Sequence, residues 1–149
     1  MDLSKVKWAA IIAVVAGVGW SLSSPGTEWW FNKLKAYTPG QSAENDVVNE
    51  ASLSKFGGYL FQTLRYEKAE EVFQLSIDRY PKGKNVYYNG YRLVKCHEKR
   101  EDYEGAVGLL VALIKANAHQ FDDRVPEVEI LKLRTNKLIE THSLGELIP

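Results

Sequence analysis

The chain has 149 residues, 45% of them hydrophobic, and its 19 Lys plus Arg are matched by 19 Asp plus Glu. That size and composition suit one ordinary folded domain, and zero net charge without a long basic run argues against nucleic acid as a partner. The lone cysteine, Cys96, closes no intrachain disulfide and leaves no Cys pair for structural zinc, so stability must come from packing.

Residues 8–22 read WAAIIAVVAGVGWSL without a charge, after Lys5 and Lys7 and before Ser23-Ser24-Pro25-Gly26. As a helix this run covers roughly 22 Å of the roughly 30 Å hydrocarbon core. Starting at Leu3 closes the gap if Lys5 and Lys7 stretch their stems to the headgroups. Residues 1–24 therefore predict a transmembrane helix, an uncleaved signal anchor in a lipid bilayer. A cleaved secretory signal, with Ser21 and Ser23 as small cleavage-site residues, is the competing reading. Trp8 and Trp20, at the two ends of the run, favour retention because indoles prefer the membrane interface. Ala9, Ala13 and Gly17 recur every four residues and give a smooth flank for a second membrane helix, although small residues are common in membrane helices anyway. Lys5 and Lys7 before the run, against Lys33 and Lys35 diluted by Glu28 after it, lean toward a cytoplasmic N-terminus and a body outside, in the periplasm or its equivalent.

Residues 25–45 predict a connector, with Pro25-Gly26 and Pro39-Gly40 as turns around an aromatic and basic island. Trp29, Trp30, Phe31, Leu34 and Tyr37 suit a short helix in the headgroup layer with Lys33 and Lys35 toward phosphate. A lid packed on the following domain is the alternative.

Residues 46–149 carry a repeat. Tyr66-Glu67-Lys68-Ala69 is followed 37 positions later by Tyr103-Glu104-Gly105-Ala106, and four residues past each alanine stand Phe73 and Leu110. Self-similar helical units at this period predict stacked helix pairs. In the first unit Gly57 and Ala69 are small where two helices would cross, Tyr66 and Phe73 fill the space beside them, and Pro81 stops the second helix. This pattern resembles the tetratricopeptide repeat, with Gly57, Tyr66, Ala69, Phe73 and Pro81 at the family's places. The second unit keeps Tyr103, Ala106 and Leu110 but has Val94 in the small-residue place and Ala118 for the closing proline. Its second helix, residues 106–116, is apolar almost all round and should be sandwiched. Pro126 and the stripe Val128, Leu131, Thr135, Leu138 and His142 predict a C-terminal capping helix. The first helix of the array should start near Asn45 or Asn49 and run to Leu64, with Val48, Leu53, Phe56, Leu60 and Leu64 inward. The fold class expected is all-α.

The resemblance implies a concave partner-binding surface on the first helix of each pair: Ser54, Lys55 and Gln62, then Tyr88, Tyr91, Arg92 and Lys95. A basic, aromatic surface suits an acidic segment of another protein. Each tyrosine taken singly reads first as core packing against the neighbouring helix, since an aromatic at helical spacing usually buries. Cys96 and His97 are adjacent and diverge by about 100° on a helix, which rules out a thiolate pair between them. His119 and His142 lack a companion at ligand spacing, and Asp122-Asp123 lacks the further acids of a calcium loop. No phosphate loop, nucleophile elbow or H-E-x-x-H helix is present. The sequence thus predicts no enzyme, cofactor or small-molecule substrate. It predicts a scaffold held among other protein subunits of a membrane complex, with a transient adaptor or a secreted soluble module as alternatives.

Overall fold

The computed structural model describes residues 3–145, whose regular elements are all helices, with no strand among them. The outermost parts of the expected anchor and domain, residues 1–2 and 146–149, and the side chains of residues 3–5, 21 and 22, Lys5 and Ser21 among them, lie outside the described set. The chain divides into two units, Met1–Thr38 and Pro39–Pro149.

In the first unit, α1 spans Leu3–Leu22 and α2 spans Ser24–Ala36. Every described side chain from 6 to 20 is exposed. Among the described residues no single helix is long and apolar enough to cross a membrane. Residues 6–20 and α2 meet that test only together, as a pair bent by 71°. The break is local chemistry. Ser23 caps a new helix, its Oγ accepting the Gly26 N–H at 3.3 Å, and Pro25 sits in the first turn, where a missing N–H costs no hydrogen bond. The expected Pro25-Gly26 turn is therefore a helix start. Pro39-Gly40 does turn: Gly40 has φ +88, and its N–H donates to the Asp46 carboxylate at 3.0 Å.

The second unit runs α3 Ala43–Gln62, α4 Tyr66–Arg79, α5 Val86–Lys99, α6 Tyr103–Lys115, a 3-10 turn at Ala118–Gln120, and α7 Val128–His142. Helices pack chiefly on their neighbours in sequence, and α3 also reaches α5. At the α3–α4 crossing, a Cβ on Gly57 would lie 2.5 Å from Cε1 of Phe73, and Ala69, Phe73 and Leu60 are fully buried. Between α5 and α6, Gly90 faces Leu113 at an ordinary packing distance, where a Cβ would stand 3.4 Å from Cδ2, and Val94 is buried in the core beside it. Ala106, Leu110, Val94 and Leu131 share the adjoining core.

Two expected core positions face out, Val48 at 60% and Leu64 at 71% exposure. Helix α3 instead turns Asn49 and Glu50 inward, where Asn49 accepts the Tyr80 hydroxyl at 2.8 Å and Glu50 accepts the Asn85 N–H at 2.7 Å. Leu64 lies past the helix end in left-handed backbone, φ 63, which lets the Arg65 N–H donate to the Leu60 carbonyl at 2.9 Å. Tyr66 meets Phe61 edge to face, and Pro81 follows the end of α4 at Arg79. Asn89, fully buried, accepts from Ser54 Oγ at 2.8 Å and donates to Ser76 Oγ at 3.1 Å, joining α3, α4 and α5. Helix α6 buries Val107, Leu110 and Leu113 but leaves Gly108 and Ala112 exposed. Helix α7 covers α6 with Leu131 and Thr135, and His142 stacks on Tyr103 at 3.4 Å between ring centroids.

Candidate functional site: a cation-aromatic row on α5

Helix α5 puts Tyr88, Arg92 and Lys95 on adjoining turns and Tyr91 between them, and elements distant in sequence bring two more cations to the same rings. Arg92 reaches across to α3, its Nη1 donating to the Ser54 carbonyl at 2.9 Å. Its guanidinium carbon stands 5.0 Å from the Phe73 ring centroid and 4.6 Å from that of Tyr88. Gly58 makes this possible, since a Cβ there would lie 2.1 Å from Arg92 Nη2. Arg124, from the loop before α7, stands 4.4 Å from the Tyr88 centroid. Lys95 lies 4.5 Å from the Tyr91 centroid, and Arg134 of α7 donates to the Tyr91 hydroxyl at 2.9 Å.

The four cations are not equally neutralised. Arg124 donates to both oxygens of Asp122, at 2.8 and 2.7 Å, and Arg134 donates through Nε to Glu98 at 2.7 Å. These hydrogen bonds hold both guanidinium pKa values above the ordinary one, and the Arg124 bond in turn keeps the Asp122 carboxyl below it. Among the described residues, Arg92 and Lys95 have no carboxylate at ion-pair distance. Burial lowers the pKa of both; Arg134 and then Arg92 add to the effect on Lys95, while Arg124 adds to it on Arg92, partly opposed by Tyr88. They are half-buried charges held chiefly by rings and dipoles, with Glu98 opposing the shift of Lys95 from beyond ion-pair distance.

The expected contact residues therefore separate into groups. Tyr91 is 8% exposed and Ser54 6%; both are interior struts, a correction to their expected place on a partner-binding surface, because the ring and hydroxyl are used between helices. Arg92 is half in this role. Lys95 and Tyr88 remain partly accessible, and Lys55 and Gln62 stand exposed on α3. Arg124, Arg134, Asn89 and Gly58 were not singled out from the sequence. Asn89 and Gly58 sit in α-helical stretches with no periodic signal to mark them, whereas Asp122 and Arg124 in one polar loop were a visible pair without a visible target.

On the first unit, Ala9 and Ala13 are exposed, and a Cβ on Gly17 would meet no atom within 4 Å, so their flank of α1 is open. Trp8, Trp20, Trp29 and Trp30 are each 42–64% exposed. Cys96 is buried, which pushes its thiol up to about 12. His97 Nδ1 lies 2.6 Å from Asp102, whose carboxyl is held below its ordinary pKa by the Gly105 N–H first and His97 second. No group of three or more His, Cys, Asp or Glu able to hold a metal ion occurs among the described residues. The chain matches no protein-family model, no curated protein and no solved structure.

Proposed function

We propose that this chain is a membrane-associated scaffold of tetratricopeptide-like helix pairs, an accessory or assembly subunit that holds an acidic segment of a partner protein against α5. The observation that carries the reading is the pair of half-buried cations, Arg92 and Lys95, left without counter-carboxylates beside Tyr88. A carboxylate arriving there relieves their mutual repulsion and replaces lost hydration, while Tyr and Arg are side chains that commonly anchor protein contacts. The packing of Phe73 over Gly57 and Ala69 supports the helix-pair reading, as does the chain-order stacking of α3 to α7. Association with a membrane is supported by residues 6–20 of α1, apolar apart from Lys7 and exposed throughout.

The test is extraction in mild detergent followed by quantitative mass spectrometry of what remains bound. Wild type should retain a protein partner in fixed ratio, and Lys95→Glu should weaken its retention about 10-fold with helical circular dichroism unchanged. Full retention by Lys95→Glu and by Lys55→Glu/Lys95→Glu would remove this surface from consideration. Alkaline carbonate should leave the chain in the membrane pellet.

A further inference from the structure

The bend between α1 and α2 brings Trp20 beside the adjacent pair Trp29 and Trp30. Trp20, in the last turn of α1, lies 6.0 Å from Trp29 between ring centroids, and Trp29 lies 4.9 Å from Trp30. They are 50%, 47% and 42% exposed, whereas Thr27 and Phe31 of α2 are buried at 4% and 2%. Helix α2 thus keeps an ordinary apolar ring inside and turns its amphipathic rings outward. Above them sits one ammonium: Lys33 Nζ is 5.2 Å from the Trp29 ring and 5.8 Å from the Trp30 ring, with no carboxylate at ion-pair distance among the described residues.

We propose that this elbow is a phospholipid-interface site, with α2 lying in the headgroup layer, Trp20, Trp29 and Trp30 at the edge of the hydrocarbon, and Lys33 at lipid phosphate. The assignment rests on the reading above that α1 enters a bilayer. Three observations point to a lipid surface as the occupant. The indole patch is continuous with α1, whose Ile12, Val14, Val15 and Val18 are 53–65% exposed. Indole combines an apolar body with one N–H donor and prefers the boundary where both are satisfied. The 71° bend falls about 20° short of a right angle, which is the usual tilt of a membrane helix, so a tilted α1 places α2 parallel to the surface. An ammonium beside aromatic rings at that depth meets phosphate oxygens, with the rings shielding it from bulk water.

The test uses the full chain in phosphatidylcholine vesicles containing phosphatidylglycerol, with bromine carried either high or low on the acyl chains. One variant, Trp8→Phe/Trp20→Phe, reports only Trp29 and Trp30; another, Trp20→Phe/Trp29→Phe/Trp30→Phe, reports only Trp8. We expect Trp29 and Trp30 emission to shift to shorter wavelength on vesicle addition and to be quenched more by high than by low bromines. Lys33→Glu in the first variant should at least halve that quenching. If Trp8 is quenched while Trp29 and Trp30 are not, α1 enters the bilayer but the elbow faces protein, and the assignment is overturned. If neither variant is quenched, the membrane reading beneath it fails as well.

Discussion

Replacing Gly57 with alanine sets two effects of known sign against each other. In a helix interior, Gly→Ala alone stabilises by about 0.5–1 kcal/mol, through backbone entropy. At Gly57 the new methyl would stand 2.5 Å from Cε1 and 2.7 Å from Cδ1 of Phe73, a fully buried ring with Arg92 stacked on it. Overpacking of that kind costs about 1–3 kcal/mol, so the ring wins and the net loss is about 1 kcal/mol. Gly108 of α6 is the internal control, because it is exposed and a Cβ there meets nothing within 4 Å; Gly108→Ala should gain about 0.5–1 kcal/mol. Urea unfolding of the full chain in mild detergent, followed by far-ultraviolet circular dichroism, reads both. At a slope of about 2 kcal/mol per molar, Gly57→Ala should lower the midpoint by about 0.5 M. Adding Phe73→Leu should cost less in the Gly57→Ala background than in wild type, by at least about 0.5 kcal/mol. A Gly57→Ala midpoint at or above wild type would refute the close crossing of α3 and α4.

Three further outcomes follow from individual side chains. Asn89→Ala strands the Ser54 and Ser76 hydroxyls between helices and should cost about 2 kcal/mol in the same urea assay; a loss under about 0.5 kcal/mol would mean water satisfies them. The Cys96 thiol, buried and pushed up to about 12, should react with a maleimide at pH 8 at least about 100-fold more slowly in the folded chain than in urea, and equal rates would place it at the surface. The Asp122 and Asp102 carboxyls have folded pKa values below their ordinary one. Their stabilising contribution is therefore complete above the unfolded value of about 3.9 and is lost as pH falls through the lower folded values. The urea midpoint should fall below about pH 4, and Asp122→Asn should flatten that fall, whereas an unchanged slope would show that Arg124 contributes nothing through Asp122.

Much of the array was legible because its signals are local. The Tyr66/Tyr103 repeat, the small residues at Gly57 and Ala69 and the stripe through Leu131 and Thr135 depend on helix period and side-chain volume. Helices α3 to α7 accordingly fall close to where pattern places them. The Ser23-Ser24-Pro25-Gly26 stretch misled because Pro-Gly marks a turn and Pro after Ser marks a helix start, and only the Gly26 N–H on Ser23 Oγ separates the two. Val48 misled because apolarity predicts burial only while nothing competes for the inward side, and Asn49 and Glu50 compete through hydrogen bonds to residues more than thirty positions away. Leu64 misled because α3 stops at Gln62 and leaves it in left-handed backbone.

The charge row shows the same division. Sequence alone fixes that α5 carries Tyr88, Tyr91, Arg92 and Lys95 on neighbouring turns, since their spacing is a property of one helix. How the row is neutralised is decided by tertiary structure: Glu98 holds Arg134 across the fold, Arg124 arrives already paired with its loop neighbour Asp122, and Arg92 and Lys95 receive ring faces. Periodicity encodes the faces of a helix, and the Asp122–Arg124 pair is local. The meeting of Arg124 with Tyr88 and of Arg134 with Glu98, however, is set by segments folded in from 36 positions away, and no local pattern records that distance.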